Sequence, residues 1–241
     1  KQASVAVSFS GLELLRNSGR EALIKVTSTK INNARRTFVN QMGAGVHAAG
    51  TGSGGKEIGG LGLLVPTTNT NTVGGIDANT YTWWQNNVTD FTTVNSGATT
   101  SSNIQVPMRQ MYAGLTRNAD KPDLILMSTT YFNHYWGSLT SIQQITRTDE
   151  GRSGFRSLLF VDADVVNEGG VGGNMSESSV TNATMFMLNT EYIGLFTHSD
   201  RNIEVVGGER QSVNQDAHVQ LMLWAGNMWV SNRQLQGKGK E

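Results

Sequence analysis

Few residues in this chain have the types and spacing that chemistry requires. Asp162 and Asp164 in FVDADVV lie two apart, so on a single strand they would share a face, and Asp149-Glu150 stand together in the turn TRTDEGR. Paired carboxylates can move protons or hold a divalent metal. Neither pair has a third group at a telling spacing, and ion pairs or solvated turns account for both. Gly50 to Lys56, GTGSGGK, keeps the spacing of a phosphate-cradling loop up to its last position, where Glu57 replaces the Ser or Thr that would ligate magnesium. Such a loop also needs a strand before it and a helix after it; here a helical pattern precedes and Ile58-Gly59-Gly60-Leu61-Gly62 follows. His47, His134, His198 and His218 are far apart and lack the spacing of a metal site. The absence of cysteine excludes thiolate nucleophiles, disulfides and cysteine-ligated metals, and no GxSxG elbow is present. The residues nominate no catalytic, cofactor-binding or metal-ligating set. The chain is expected not to be an enzyme, the rival of that class being a divalent-metal enzyme built on Asp162 and Asp164.

The composition points the same way. The 241 residues are enough for one large or two modest domains, and 19 Lys plus Arg balance 19 Asp plus Glu. No basic stripe dominates, so a nucleic-acid partner would be enclosed or contacted loosely. No apolar run reaches the length of a membrane span, and Lys1-Gln2 opens without a secretory pattern. The abrupt start in KQASVAVSFSGLELL points to residues upstream.

The element that must organise the chain is Ser18 to Met42. Leu23, Thr27, Ile31, Ala34, Phe38 and Met42 recur at steps of three and four, whereas Lys25, Lys30, Asn32, Asn33, Arg35 and Arg36 fall largely off that stripe. Ser18 with Glu21 reads as a capping box and Gly43 as the C-terminal stop. The spacing predicts a helix of about 25 residues, roughly 37 Å long, with one narrow buried face. Before it, Ala3 to Phe9 alternates as a strand with no evident downstream partner, half of a hairpin or an arm for another chain. After it, Gly43 to Gly62 reads as a flexible hinge. Trp83 and Trp84 should divide between core and surface.

From Ile104 onwards the pattern alternates between helix and strand. It predicts a helix at Pro107 with Met108, Met111, Tyr112 and Leu115 inward, a strand over Leu124 to Met127, and a helix capped by Ser128 or Thr129. One strand is expected within 155 to 166, a Gly/Ser loop over Asn167 to Ser179, and two more strands at Met185 to Leu188 and Tyr192 to Phe196. In the tail, Ala217 to Ala225 alternates strongly, and Gly226-Asn227 reads as the turn of a hairpin that resumes at Met228. That hairpin belongs under the long helix, so the two chain ends would form one domain with the middle inserted.

The order of arm, long helix, Gly-rich passage, GGIDANTYTWWQN, α+β middle, LNTEYIGLFTHSDRNIEV and VNQDAHVQLMLWAGNMWVSNRQLQG resembles the major capsid proteins of tailed bacteriophages with the HK97-like fold. The resemblance covers the whole chain and is most specific over Gly74 to Asn86 and Asn214 to Gly237. It implies an α+β fold with a partial extended loop (E-loop) or arm at 1–17, and a peripheral domain from the spine helix (18–73) and C-terminal strands (196–241). An axial domain inserted at 74–195 would stand at capsomer centres. It further implies self-assembly into hexamers and pentamers of an icosahedral virion shell enclosing double-stranded DNA, assembled in the host cytoplasm. Portal, scaffolding and decoration proteins would be partners, with no membrane and no cofactor. Lys1 to Leu15 and the helix would contact neighbouring subunits, the helix's basic flank meeting a neighbour's acids, so that deleting residues 1 to 15 would stop assembly and leave a folded monomer. Loops at Asn118 to Lys121 and Gly169 to Asn174 would lie near symmetry axes. An encapsulin-type nanocompartment is the alternative with the same fold.

Overall fold

The computed structural model describes residues 1–16, 20–139, 158–167, 183–211 and 216–241. Strand β1 (Gln2–Ser10) leads through a short helix, α1 (Gly11–Arg16), into the long helix α2 (Arg20–His47). Single turns α3 (Gly52–Gly55) and α4 (Leu61–Leu64) follow, then β2 (Thr72–Val73), β3 (Ile76–Asp77), a 3₁₀ turn at Thr82–Trp84, β4 (Asn87–Asp90) and α5 (Phe91–Asn95). The middle adds α6 (Gln105–Leu115), β5 (Leu124–Met127), α7 (Thr129–Ser138), β6 (Leu158–Phe160), β7 (Ala163–Asn167) and β8 (Thr184–Leu188). Two long strands, β9 (Ile193–Gln211) and β10 (Ala217–Val230), and the short β11 (Gly237–Lys240) complete it.

Two sheets carry the chain. β4, β11, β8, β5, β7 and β6 stand in that order in a mixed six-stranded sheet. Its strands alternate strictly. Met185 and Met187 face the helices α5, α6 and α7, packing with Phe91, Met108, Met111, Leu115, Tyr131 and Tyr135, while Phe186 and Leu188 face Leu61, Leu64, Val65 and Ile193 on the other side. Pro107 sits in the first turn of α6, as its sequence position requires, and Ser128 caps α7 by accepting from the Tyr131 amide. In β11 the face towards the helices carries only glycine. A Cβ on Gly239 would lie 2.7 Å from the Phe91 ring, so the strand reaches the helices only without one.

The second sheet is β1, β10 and β9, with α2 lying across it. Phe38 and Met42 of α2 meet Trp224 of β10 and Ile58, and Thr27, Ile31 and Ala34 continue that less exposed stripe. Ile203 is the extra residue of a bulge, set between Asn202 opposite Trp224 and Glu204 opposite Leu223, and its φ of 58° is costly for a branched side chain. Burial against the Phe38–Trp224 cluster offsets that strain.

Several expectations change. β1 has its partner downstream: Gln2 to Ser10 pair antiparallel with Ala225 to Ala217, burying Val7 and Phe9. Deletion of residues 1 to 15 would therefore strip an edge from the subunit's own sheet. α2 passes Gly43 and ends at His47, because Gly45 packs on Ile58 and the following chain lies tight against the helix end. A Cβ on Gly60 would stand 2.2 Å from the Val46 carbonyl oxygen, so the Gly-rich passage permits close packing here where a hinge was expected. The Ser18 to Glu21 cap lies outside the described residues. The tail does not turn at Gly226-Asn227; β10 runs straight through, with Gly226 allowing the Phe196 carbonyl to approach. The single strand expected within 155 to 166 is a hairpin, β6 and β7.

That hairpin turns on Val161-Asp162, with Phe160 opposite Ala163 and Val161 at φ 58°. Val161 is exposed and gains no packing for its strain. Val161→Gly is expected to stabilise the protein by about 1 kcal/mol and raise Tm by about 2–4 °C in calorimetry.

Burial pushes the Tyr131 and Tyr135 phenols up from 10.0 to about 12. A raised folded-state value means that this stabilisation is whole below about pH 10 and lost as the pH rises towards 12. It amounts to roughly 2–3 kcal/mol per tyrosine. Alkaline titration followed by ultraviolet absorbance and circular dichroism is expected to show these two phenols ionising together with unfolding.

Candidate assembly surfaces

The groups singled out for chemistry do not converge. Asp162 occupies the β6–β7 turn and pairs with Lys121, whereas Asp164 lies within β7, where its amide donates to the Asp123 carbonyl over 2.9 Å. The turn breaks the alternation that would have placed the two carboxylates on one face. Asp149 and Glu150 lie outside the described residues. In GTGSGGK, Ser53 and Gly54 take left-handed conformations, and Ser53 Oγ donates to Glu57 Oε1 over 3.3 Å. The Glu57 carboxylate covers Gly52, the face a phosphate would need. The four histidines lie on α2, α7, β9 and β10. Among the described residues no group of three or more His, Asp or Glu could hold a metal. No helix among them is long and apolar enough to cross a membrane.

What the fold positions instead are surfaces. β1 is an outer strand, and no described strand pairs with its free side. Lys30 of α2 anchors it by reaching the Ser8 carbonyl over 3.3 Å and standing 5.2 Å from the centre of the Phe9 ring, while pairing with Glu13 of α1. Beyond Lys30 the outer side of α2 exposes Lys25, Asn32, Asn33, Arg35, Arg36 and Gln41. A cleft of about 590 Å³ opens between the start of β1, the last turns of α2 and residues 53–58, with Trp224 in its lining.

A second region lies where β9 begins and β10 ends. Phe196 is 65% exposed and Trp229 42% exposed, the Trp229 ring lying over Gly194. The tryptophan pair divides as expected: Trp83 is 56% exposed and Trp84 is buried, donating to the Val73 carbonyl over 3.0 Å. A third region is the turn Arg117 to Asp120, closed by reciprocal backbone bonds of 2.8 and 3.0 Å with Asn118 at φ 56°. Lys121 ties it to Asp162, and Tyr192 donates to Asp120 over 3.2 Å. Residues 169–174 lie outside the described residues.

Sequence reasoning missed the group that holds these parts together. Arg233 is fully buried; its Nε donates to the Leu64 carbonyl over 2.9 Å and an Nη to Asn86 Oδ1 over 3.1 Å, and its guanidinium stands 5.8 Å from the centre of the Trp84 ring. Asn86 in turn donates to the Pro66 carbonyl over 3.0 Å. Burial lowers the affinity of Arg233 for its proton. Gln236 completes the clamp by exchanging bonds with the Asn189 backbone at 3.0 and 3.1 Å. Nothing in VSNRQLQG marks an inward arginine, because its partners are one backbone carbonyl and one side-chain amide far away in sequence.

A long helix across a sheet that joins both ends of the chain, beside a second α+β layer, defines the HK97-like fold of icosahedral shell subunits. No protein-family model and no curated protein matches the sequence. The solved structures agree on the fold. The chain is similar to the capsid asymmetric unit of cyanophage A-1(L), with a TM-score of 0.69 at 14% identity over 98% of this chain and 75% of that one. It is also similar to the holo-SrpI encapsulin of Synechococcus elongatus PCC 7942, with a TM-score of 0.60 at 8% identity over 100% of this chain and 73% of that one. For Gordonia phage Cozz the TM-score is 0.56 at 12% identity, over 100% and 69% of the two chains.

Proposed function

We propose that this chain is the major capsid protein of a tailed double-stranded DNA bacteriophage, a structural subunit without catalysis that forms the hexamers and pentamers of an icosahedral shell. The observation that carries this reading is the likeness of the whole chain to a phage capsid subunit, with 98% of it superposed. The surfaces support it. A long helix rigidifies each subunit, an outer strand and several exposed aromatics are available to neighbours, and no described cluster invites a substrate. In this reading residues 18–73 and most of 196–241 form the peripheral domain, and 74–195 the axial domain around capsomer centres, completed by β11, whose neighbours are β4 and β8. Lys1 to Asn17 belong to the extended-loop arm. The Asn118 to Lys121 loop stands near a symmetry axis. Portal and scaffolding proteins, and decoration proteins where present, are the expected partners in a virion assembled in the host cytoplasm.

Electron microscopy of the purified chain tests the proposal. Closed icosahedral particles, empty or holding DNA, are the expected result. Closed particles filled with a protein cargo would favour the encapsulin reading, and small monodisperse species under all assembly conditions would overturn both.

A further inference from the structure

We propose that the outer face of α2 is the subunit's nucleic-acid surface: Lys25, Arg35 and Arg36 take the phosphates of the enclosed duplex, so this face lines the lumen of the shell. The inference deepens the capsid reading and rests on it. Between Glu21 and Glu57 the sequence holds Lys25, Lys30, Arg35, Arg36 and Lys56 and no acidic residue, in a chain whose 19 Lys plus Arg and 19 Asp plus Glu balance only as a whole. Of the cations within α2, Lys30 is committed to Glu13 and Phe9. Lys25, Arg35 and Arg36 are exposed, and none of them pairs with a carboxylate among the described residues.

Their placement follows from the helix period. The stripe Thr27, Ile31, Ala34, Phe38 and Met42 turns towards the sheet, which puts Lys25 and Arg36 on the opposite side, about three turns and roughly 16 Å apart, with Arg35 on the flank. Between them stand Ser28, Thr29, Asn32 and Asn33, with Asn40 one turn beyond, short hydrogen-bonding side chains that serve phosphate oxygens without selecting a base sequence. Among the described side chains of α2, Val39 is the one large apolar residue that is exposed. A protein partner would need an apolar or aromatic anchor at the centre of its interface, and lysine is depleted there. Charge complementarity therefore favours a polyanion. With three cations per subunit each contact is weak and salt-sensitive, and repetition over a shell makes the sum substantial.

The test uses the full chain as free subunits or capsomers and a fluorescein-labelled duplex of about two helical turns, read by anisotropy from low to physiological salt. Three neutralised phosphates predict a slope of log affinity against log salt of about −2.7. The variant Lys25→Gln/Arg35→Gln/Arg36→Gln should lose at least tenfold in low-salt affinity and most of that slope, while Arg109→Gln/Arg201→Gln/Lys240→Gln, with the same net charge, keeps both. Equal binding by the two triple variants, or no binding by the unaltered chain, overturns the proposal. So does failure of the first variant to form shells while its duplex binding is unchanged, which would make the face a contact between subunits. Duplex binding lost in the first variant of a chain that never forms shells would retain the surface and remove the capsid reading.

Discussion

Arg233→Ala is expected to destabilise the subunit by about 3 kcal/mol, lowering Tm by roughly 6–12 °C, without altering the secondary structure that survives below the transition. The guanidinium is fully buried and answers the Leu64 carbonyl and Asn86 Oδ1. Truncation leaves two buried acceptors without their donor and opens a cavity beside Trp84. Arg233→Met restores much of the volume and none of the donors, so it should recover roughly 1 kcal/mol of the loss. Arg233→Lys offers a point charge where a planar fork is used and should rescue little. Differential scanning calorimetry of the three variants separates these contributions. Equal Tm values for Ala, Met and Lys would mean that the clamp contributes nothing beyond filling space. The clamp joins the segment before β11 to the segments before β2 and β4, so its loss should also lower shell yield at elevated temperature.

The second large effect is expected at the outer strand. Phe9 is 3% exposed, held between β10 and the Lys30 ammonium. Phe9→Ala should cost about 3 kcal/mol through lost burial and the cavity left behind. Hydrogen exchange would show where. Amides of β1 and their partners on β10 should lose protection first, whereas β5 and β8 in the other sheet keep theirs. Uniform loss of protection would show instead that the two sheets unfold as one unit. The variant also separates folding from assembly, because wild-type shells at low temperature would place the strand's contribution inside the subunit.

How much of this was legible in the sequence depended on the range of the interaction. The middle of the chain was read well because its determinants are local. Met108, Met111 and Leu115 repeat at helical spacing, Ser128 caps its own helix, and Leu124 to Met127 is a short apolar run after Pro122. The spine helix was legible for the same reason, although its end was misplaced at Gly43. A glycine that stops a helix and a glycine that lets two backbones approach are the same letter, and only tertiary packing at Gly45 and Gly60 decides. The partner of β1 was not legible, since Gln2 and Ala225 meet across most of the chain. β11 reads GKGK and carries little strand propensity; it is a strand because it pairs with β4 on one side and β8 on the other, with glycine where the helices leave no room for a side chain. The candidate surfaces were partly legible: the basic flank of the long helix could be seen in the letters, whereas the buried arginine could not.

The closure of both sheets by distant segments sets the order of events on the way to the native state. β1 must wait for β10, and β4 and β8 must wait for β11 to come between them. Until those late residues arrive, the nascent subunit holds two incomplete sheets with open edges. High contact order makes such a chain slow to fold, and its exposed edges make it prone to aggregate in the interval. A newly made chain thus keeps open strand edges until β11 is in place, and a chaperone that holds such edges apart should raise the yield of folded protein.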